Sequence, residues 1–565
     1  MVRTTPTFGT PPDQANLVPD TSFEAEAHSN SSLSHVAIRA VRTATVLSVI
    51  LVGVACGGGG DSAEAAPPAG VMDPITPGTT PLAPPTSPAS PTSPTAPASP
   101  TSPTSTAAQG TWQSCMRVPA ALALASGSAR HDVRSFGAKP NDKVDDTDEI
   151  QKALDTLKPG ETLFFPSGRY LTSRSLKVRR PGITITGESA TLHATDPDDL
   201  SLIIQADDTT ISSLTFTAIT DGRRSAHRHH RITVSGHQAS GYRRIRNTVI
   251  RDNRIVNADG PGTPGANSSA ASAIFVQHAE RFLVSGNTVV RSLADGIHIT
   301  GGSRDGRVLN NVVRETGDDM IAVVSYADTA ALMKNSAAKL ADAWDANAEL
   351  RLNRRILISG NRVSGQYSGR GISVVGGQSV AIVRNTIDNV PVAAAILLHR
   401  EASYQTFGID GVLVEGNIIR DVQNESPPYD GANKFSPSKR TGHGAIDVSA
   451  ALSEDEAAEP LLRSKLSVRN VVVRGNTVER AAVNGVRAGR QSGTGVIENL
   501  SVQGNRFEDV KGEAIHTLDK NLKEEGLHCA SNQRDGKDYR PSSCKAAEPM
   551  VKSLPMSCSS DGRML

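Results

Sequence analysis

Three aspartates in two short segments hold the chemistry most open to reading in this chain. ADGIHI at Ala294–Ile299 contains Asp295, and GDDMIAV at Gly317–Val323 contains Asp318 and Asp319. Each segment places an isoleucine two residues after an aspartate, Ile297 after Asp295 and Ile321 after Asp319. If those isoleucines sit at equivalent places on adjacent strands, about 4.8 Å apart, three carboxylates converge on one spot. Carboxyls so crowded cannot all ionise, and repulsion keeps at least one protonated near neutral pH. Hydrolysis of a glycosidic bond needs that pair of states: an acid for the leaving oxygen and a carboxylate to activate water. A lone Asp in ADG or GDD is more often a turn former; three in register favour a site.

The elements that must hold them are legible as a repeat. Asn recurs among apolar residues at Asn253, Asn287, Asn311, Asn361, Asn385, Asn417, Asn476 and Asn505, with 24 residues from 287 to 311 and again from 361 to 385. Longer intervals carry inserted loops. A period in the low twenties with Gly-Asn turns and alternating Val/Ile strands marks a β-solenoid, whose coils bury their apolar faces only by stacking. Stacked Asn side chains would satisfy one another's amides, a structural role. A second strand after each Asn carries Ile274, Ile297, Ile321, Ile372, Ile396, Ile446, Val486 and Ile515. Two residues earlier the column reads Ser272, Asp295, Asp319, Arg370, Ala394, Gly444, Asn484 and Glu513; one residue later it holds His298, Ser373, Asp447, Arg487 and His516. The fold class expected is all-β, a single-stranded right-handed parallel β-helix with an N-terminal capping helix and a helical insertion. The capping helix spans Thr147 to Leu157, with Ile150, Ala153, Leu154 and Leu157 on one face and Thr147 as its cap. In the insertion Ala327–Leu350, Met333, Ala337, Leu340 and Trp344 lie on one helical face, which either walls the cleft or docks on the side of the coils.

These residues resemble a family. The stretch from Asp132 to Tyr170, a short helix and then ETLFFPSGRY, is similar to the entry segment of the pectate-lyase-like superfamily. ADGIHI resembles the NTDGI motif of glycoside hydrolase family 28, the polygalacturonase-like enzymes; GDDMIAV resembles its GDDCIAI, and GRGISVVGG at Gly369–Gly377 sits where that family has GHGISIGS. The resemblance covers most of His131 to about Asp519. It implies Asp318 as general acid, Asp295 and Asp319 as the carboxylates that hold and activate water, and inversion at the sugar carbon. Arg370 stands where the family has His, and the coil expected to carry its Arg-x-Lys pair reads AAAILLHR, leaving His399 and Arg400 as substitutes. Arg370, His298, Tyr326, His399, Arg400 and His278 are the expected substrate-binding residues. His443 in TGHGAIDV falls too many coils after Asp318 and reads as a loop or turn residue, and GRRSAHRHHR at Gly222–Arg231 as a solvated loop.

The remainder of the chain reads as an address and a stalk. Ala44–Val54 is an apolar run behind Arg39 and Arg42, too short to span a bilayer and suited to a signal peptide. Ala55-Cys56 with the following glycines resembles a bacterial lipobox, making Cys56 the expected lipidation site. Expected domains are 1–56 (signal peptide), 57–130 (Pro/Thr/Ser-rich linker), 131–525 (catalytic β-helix) and 526–565 (Cys-containing tail). Cys115, Cys529, Cys544 and Cys558 could form two disulfides in any of three pairings. With 59 Lys+Arg against 58 Asp+Glu and no basic stripe interleaved with aromatics, a nucleic-acid partner is not expected. Neither a cofactor nor a metal is expected. The reading is an exported, lipid-anchored monomer that hydrolyses a polysaccharide or oligosaccharide, at the outer membrane, in the periplasm or on the cell surface. A lyase or uronate epimerase on the same scaffold is the alternative, and a non-catalytic sugar-binding β-helix the second.

Overall fold

Alternating apolar residues in short strands leave one face of each strand needing cover, and stacking the coils supplies it. The computed structural model describes residues 129–196, 201–219, 230–238, 241–256, 272–292, 294–365, 369–424, 440–490, 495–518, 526–542 and 544–546. The leader, Cys56, all but the end of the stalk, Cys115 and Cys558 lie outside them. Among the described residues the chain winds as a right-handed parallel β-helix, with a 27-stranded sheet and an 11-stranded sheet. The second, here the site sheet, stacks strictly in chain order from Leu176–Val178 to Ile515–Thr517. Its register pairs Ile274 with Ile297, then Ile321, Ile372, Ile396, Ile446, Val486 and Ile515, the column read from the sequence. These residues point inward and are fully buried. Because side chains alternate along a strand, the residues one later face outward, which puts His298, Ser373 and Asp447 on the outer surface of this sheet.

The asparagines form the predicted ladder. From Asn253 to Asn505, each backbone N–H and side-chain amide donates to the Oδ1 of the next asparagine at 2.9–3.1 Å. Asn532 ends the series. The residue before each rung has positive φ, which explains the frequent Gly (Gly286, Gly360, Gly416) and the Asp252 and Asn310 at the same place.

Four expectations need correction. The helix α1 (Thr147–Thr156) begins at Thr147 but is not capped by it: Thr147 donates its N–H and hydroxyl to Asp145 and is the first helical residue. In the insertion, α2 (Thr329–Leu332) and α3 (Ala337–Arg351) are separate, so Met333 ends one helix and stays exposed. The buried face of α3 is Leu340, Trp344 and Ala348, one turn later than expected. That face docks on the side of the coils: Trp344 meets the Phe407 ring edge-on at 5.1 Å, within a cluster that includes Leu452 and Leu462. Leu452 precedes α4 (Glu454–Ala458), and Leu462 belongs to α5 (Pro460–Lys465). The solenoid also runs past residue 525. Leu527–Ala530 stacks on Leu500–Gln503 with Leu527 and Cys529 buried in the core, so residues 526–542 and 544–546 form part of a last coil, stapled by Cys529–Cys544.

Candidate active site

The aspartates sit where each coil turns into its site-sheet strand. Ser292 and Thr316 bond from their hydroxyls to the carbonyls two residues on, Ala294 and Asp318, at 2.9 and 2.7 Å. The turns then stack by backbone bonds: Asp318 N–H to Ala294 O, Gly296 N–H to Asp319 O, and Met320 N–H to Arg370 O. The repeat thus holds Asp295 and Asp319 one coil apart with Asp318 beside them. One oxygen from each of the three lies within 4.8 Å of the others.

Their surroundings differ. Asp319 is buried, accepts the Arg370 N–H at 2.7 Å on Oδ1 and the Ser373 hydroxyl on Oδ2, and has the Arg370 guanidinium at 3.6 Å. Burial, reinforced by the charges of Asp318 and Asp295, pushes its pKa up to about 7 against the opposing pull of Arg370. Asp295 is nearly buried, and its Oδ2 lies 2.6 Å from His298 Nδ1. Asp318 is the partly exposed member. These three are also the described residues whose ligand atoms lie close enough to share a cation.

Gly369 is what lets the coils close here. It has φ +77°, and a Cβ on it would lie 2.4 Å from Asp318 Oδ1 and 2.5 Å from the Asp318 carbonyl carbon. Gly369→Ala is expected to push Asp318 out of place and lower activity about 100-fold, since a displacement near 1 Å has that effect on a positioned group. Folding, followed by circular dichroism, should persist. Unchanged turnover in a folded variant would show that Asp318 does not need this position.

Arg370 bridges the trio to a second polar group. Burial depresses the arginine's pKa, but the charges of Asp319, Asp318 and Glu401 outweigh this and hold it firmly protonated. His399 is buried, with Nδ1 3.1 Å from the Ser449 carbonyl and 2.9 Å from its hydroxyl. Burial, then the charge of Arg370, lowers it to about 4. His443 lies in the turn before the Ile446–Ala450 strand, as expected, but there it is buried, bonded through Nδ1 to the Thr441 hydroxyl at 2.7 Å, and lowered to about 4 chiefly by burial. Asp447 is fully buried and takes the Arg487 Nε–H at 2.5 Å.

Two expected binding residues are elsewhere engaged. Arg400 is the last residue of its strand and is wholly buried, paired with Glu456 of α4 at 2.5 Å and bonded to the Thr406 and Ala451 carbonyls. It holds the helical insertions to the coils. His278 lies just past the far end of its strand and stacks on Tyr242 with ring centres 4.4 Å apart. Tyr326 is half-buried and forms a backbone bridge with Thr406 at the foot of α2. Of the run 222–231, residues 222–229 lie outside the described residues, while His230 and Arg231 are buried.

Sequence reasoning missed Glu401 and Tyr404. They lie in the loop that follows Arg400, which straps onto the Asp319 coil through Ala327 N–H to Gln405 O and Phe407 N–H to Ser325 O. The charge of Glu401 favours the protonated Arg370, and burial first, then Asp318, raises Glu401 while Arg370 opposes. Neither belongs to a repeating column, so no sequence signal marked them.

A family profile described as rhamnogalacturonase A/epimerase, pectate lyase-like, matches residues 131–418. No curated protein matches the chain. Among solved structures, the chain is similar to the A-module of the mannuronan C-5 epimerase AlgE4 of Azotobacter vinelandii, at 14% identity and TM-score 0.43, over 68% of this chain and 99% of that one. It is similar to the catalytic unit of a GH87 α-1,3-glucanase of Streptomyces thermodiastaticus, at 14% identity and TM-score 0.46, over 76% and 73%. It is also similar to the surface adhesin PfbA of Streptococcus pneumoniae, at 14% identity and TM-score 0.43, over 69% and 91%.

Proposed function

Given that the chain belongs to the pectate lyase-like rhamnogalacturonase A/epimerase family, we propose that it is a polysaccharide-cleaving glycoside hydrolase of inverting, aspartate-based mechanism. The observation that carries the reading is the convergence of Asp295, Asp318 and Asp319 within 4.8 Å in unlike surroundings. The trio retains a proton near neutrality because three charges so close repel. In this reading Asp318, the exposed member, passes that proton to the glycosidic oxygen as its bond to the anomeric carbon breaks. Asp295 and Asp319 orient a water on the opposite side. Its oxygen bonds to the carbon, its proton passes to Asp295, and the product has inverted configuration, the outcome implied by the resemblance to glycoside hydrolase family 28. Arg370, Glu401, Tyr404 and His399 are the groups proposed to meet the flanking sugars, with Asp319 holding Arg370 in place. Export and anchoring through Cys56 belong to the same proposal, on the strength of the apolar run and the lipobox-like residues.

The test is the purified body incubated with a panel of neutral and acidic polysaccharides. Reducing ends are expected without ultraviolet absorbance, and the first-formed anomer is expected to be inverted by NMR. Unsaturated products absorbing in the ultraviolet would move the protein to the lyases. A uronate polymer whose epimer ratio changes without cleavage would make it an epimerase.

A further inference from the structure

The residues one step after the isoleucine column serve the aspartates two steps before it. Ser373 reaches back across one coil to Asp319, and His298 reaches back within its own coil to Asp295. Ala322 stands between them in the column, directly beside His298, where a larger side chain would crowd the imidazole. On the other side of His298 the column holds Phe275, its register partner. The Phe275 ring lies 5.1 Å from the His298 ring at 35°, and His230 stacks on it at 4.4 Å and 8°, nearly parallel. His230 is fixed in turn by its Nδ1, 3.2 Å from the Ser272 carbonyl. All three rings are at least nine-tenths buried. Phe275 is therefore buried against two imidazoles, which makes it a packing piece rather than a surface for a sugar ring.

We propose that His298 is the positioning residue of Asp295, clamped by its contact with Phe275, which His230 backs, so that its Nδ1–H fixes one carboxylate oxygen and leaves Asp295 as the water-activating base. This rests on the hydrolytic reading above. A carboxylate facing Nδ1 at 2.6 Å can only accept, so Nδ1 carries the hydrogen. A bond donated to the charged form favours that form, so the shared proton of the trio is directed away from Asp295 and toward Asp318 and Asp319. The tilted Phe275 ring, itself backed by the parallel His230 ring, restricts the imidazole's rotation.

The experiment compares His298→Asn, whose amide nitrogen can take the place of Nδ1, with His298→Gln, whose amide reaches the place of Nε2. Asn is expected to retain kcat within about tenfold and Gln to lose about 100-fold or more, both with KM within a factor of about two. Gln performing as well as Asn, or a loss confined to KM, overturns the assignment, since a filling role would follow volume and a sugar contact would follow KM. A crystal structure of Phe275→Leu, with Phe275→Ala as the larger truncation, reads the clamp without any substrate. Asp295 and His298 are expected to part beyond hydrogen-bond distance in at least the Ala variant, and a pair intact in both overturns the clamp. Absence of hydrolysis in the wild type would refute the hydrolase reading alone, because the structural comparison still decides whether the rings hold the pair.

Discussion

Asp318→Asn lowers kcat by about 10²–10⁴-fold while the coils stay folded, the loss expected when a general acid is replaced by an isosteric amide. The side chain is partly exposed, so little of the change should appear as stability. The companion expectation concerns pH. Asp319 is pushed up to about 7 by burial and by its two carboxylate neighbours. Above that value the trio loses its remaining proton and the leaving oxygen loses its donor, so kcat/KM should fall on the alkaline side with a midpoint near pH 7. Arg370 pulls the Asp319 value down; Arg370→Gln removes that pull, and the alkaline limb should move to higher pH. The measurement is a pH–rate profile of wild type and Arg370→Gln on whichever polymer is cleaved. An alkaline limb that stays in place, or wild-type turnover by Asp318→Asn, would falsify the roles given to these residues.

The same arrangement explains which parts of the site could be read in advance. A solenoid converts periodicity directly into three-dimensional neighbours, so aligning one isoleucine per coil brought Asp295, Asp319 and Arg370 into a column that the strand register reproduces. The asparagine ladder was legible for the same reason: each rung needs the same side chain at the same turn. Legibility stops where the period stops. Asn532 was passed over because polar Gln533 and Arg534 follow it instead of Val or Ile, although its amide completes the ladder. Glu401 influences Arg370 from a loop that crosses coils, and nothing local to REASYQTFG announces that crossing. His443 is a turn residue, as coil counting indicates, but its burial within that turn is not encoded in spacing. His298 is legible as the residue one place after the isoleucine column, but its service to Asp295 follows from side-chain direction, which spacing does not specify.

Arg400 shows the opposite failure, a charged residue at a promising address whose work is structural, and its removal carries the largest stability effect expected here. The guanidinium is fully buried and its partner Glu456 nearly so, at 2.5 Å. Glu456 also accepts the Thr329 hydroxyl and the Ser453 N–H of its own capping box, so one carboxylate ties α2, α4 and the end of the Ile396–Arg400 strand together. Removing one partner of a buried pair leaves an uncompensated charge, a loss of about 3–5 kcal/mol. Glu456→Gln should therefore lower the urea midpoint by that equivalent. Hydrogen exchange should quicken first in α4 and in residues 401–407, where the Arg400 bonds to Thr406 and Ala451 are released together. Replacing both partners by apolar residues should recover part of the loss, because no charge is then stranded, while the carbonyls of Thr406 and Ala451 remain without their donor. Kinetics separate this from a sugar-binding role. An Arg400 that gripped substrate would raise KM when altered and would leave the unfolding midpoint in place; a pair that holds the insertions against the coils lowers the midpoint and, below it, changes kcat only as far as the 401–407 loop shifts Glu401 from Arg370.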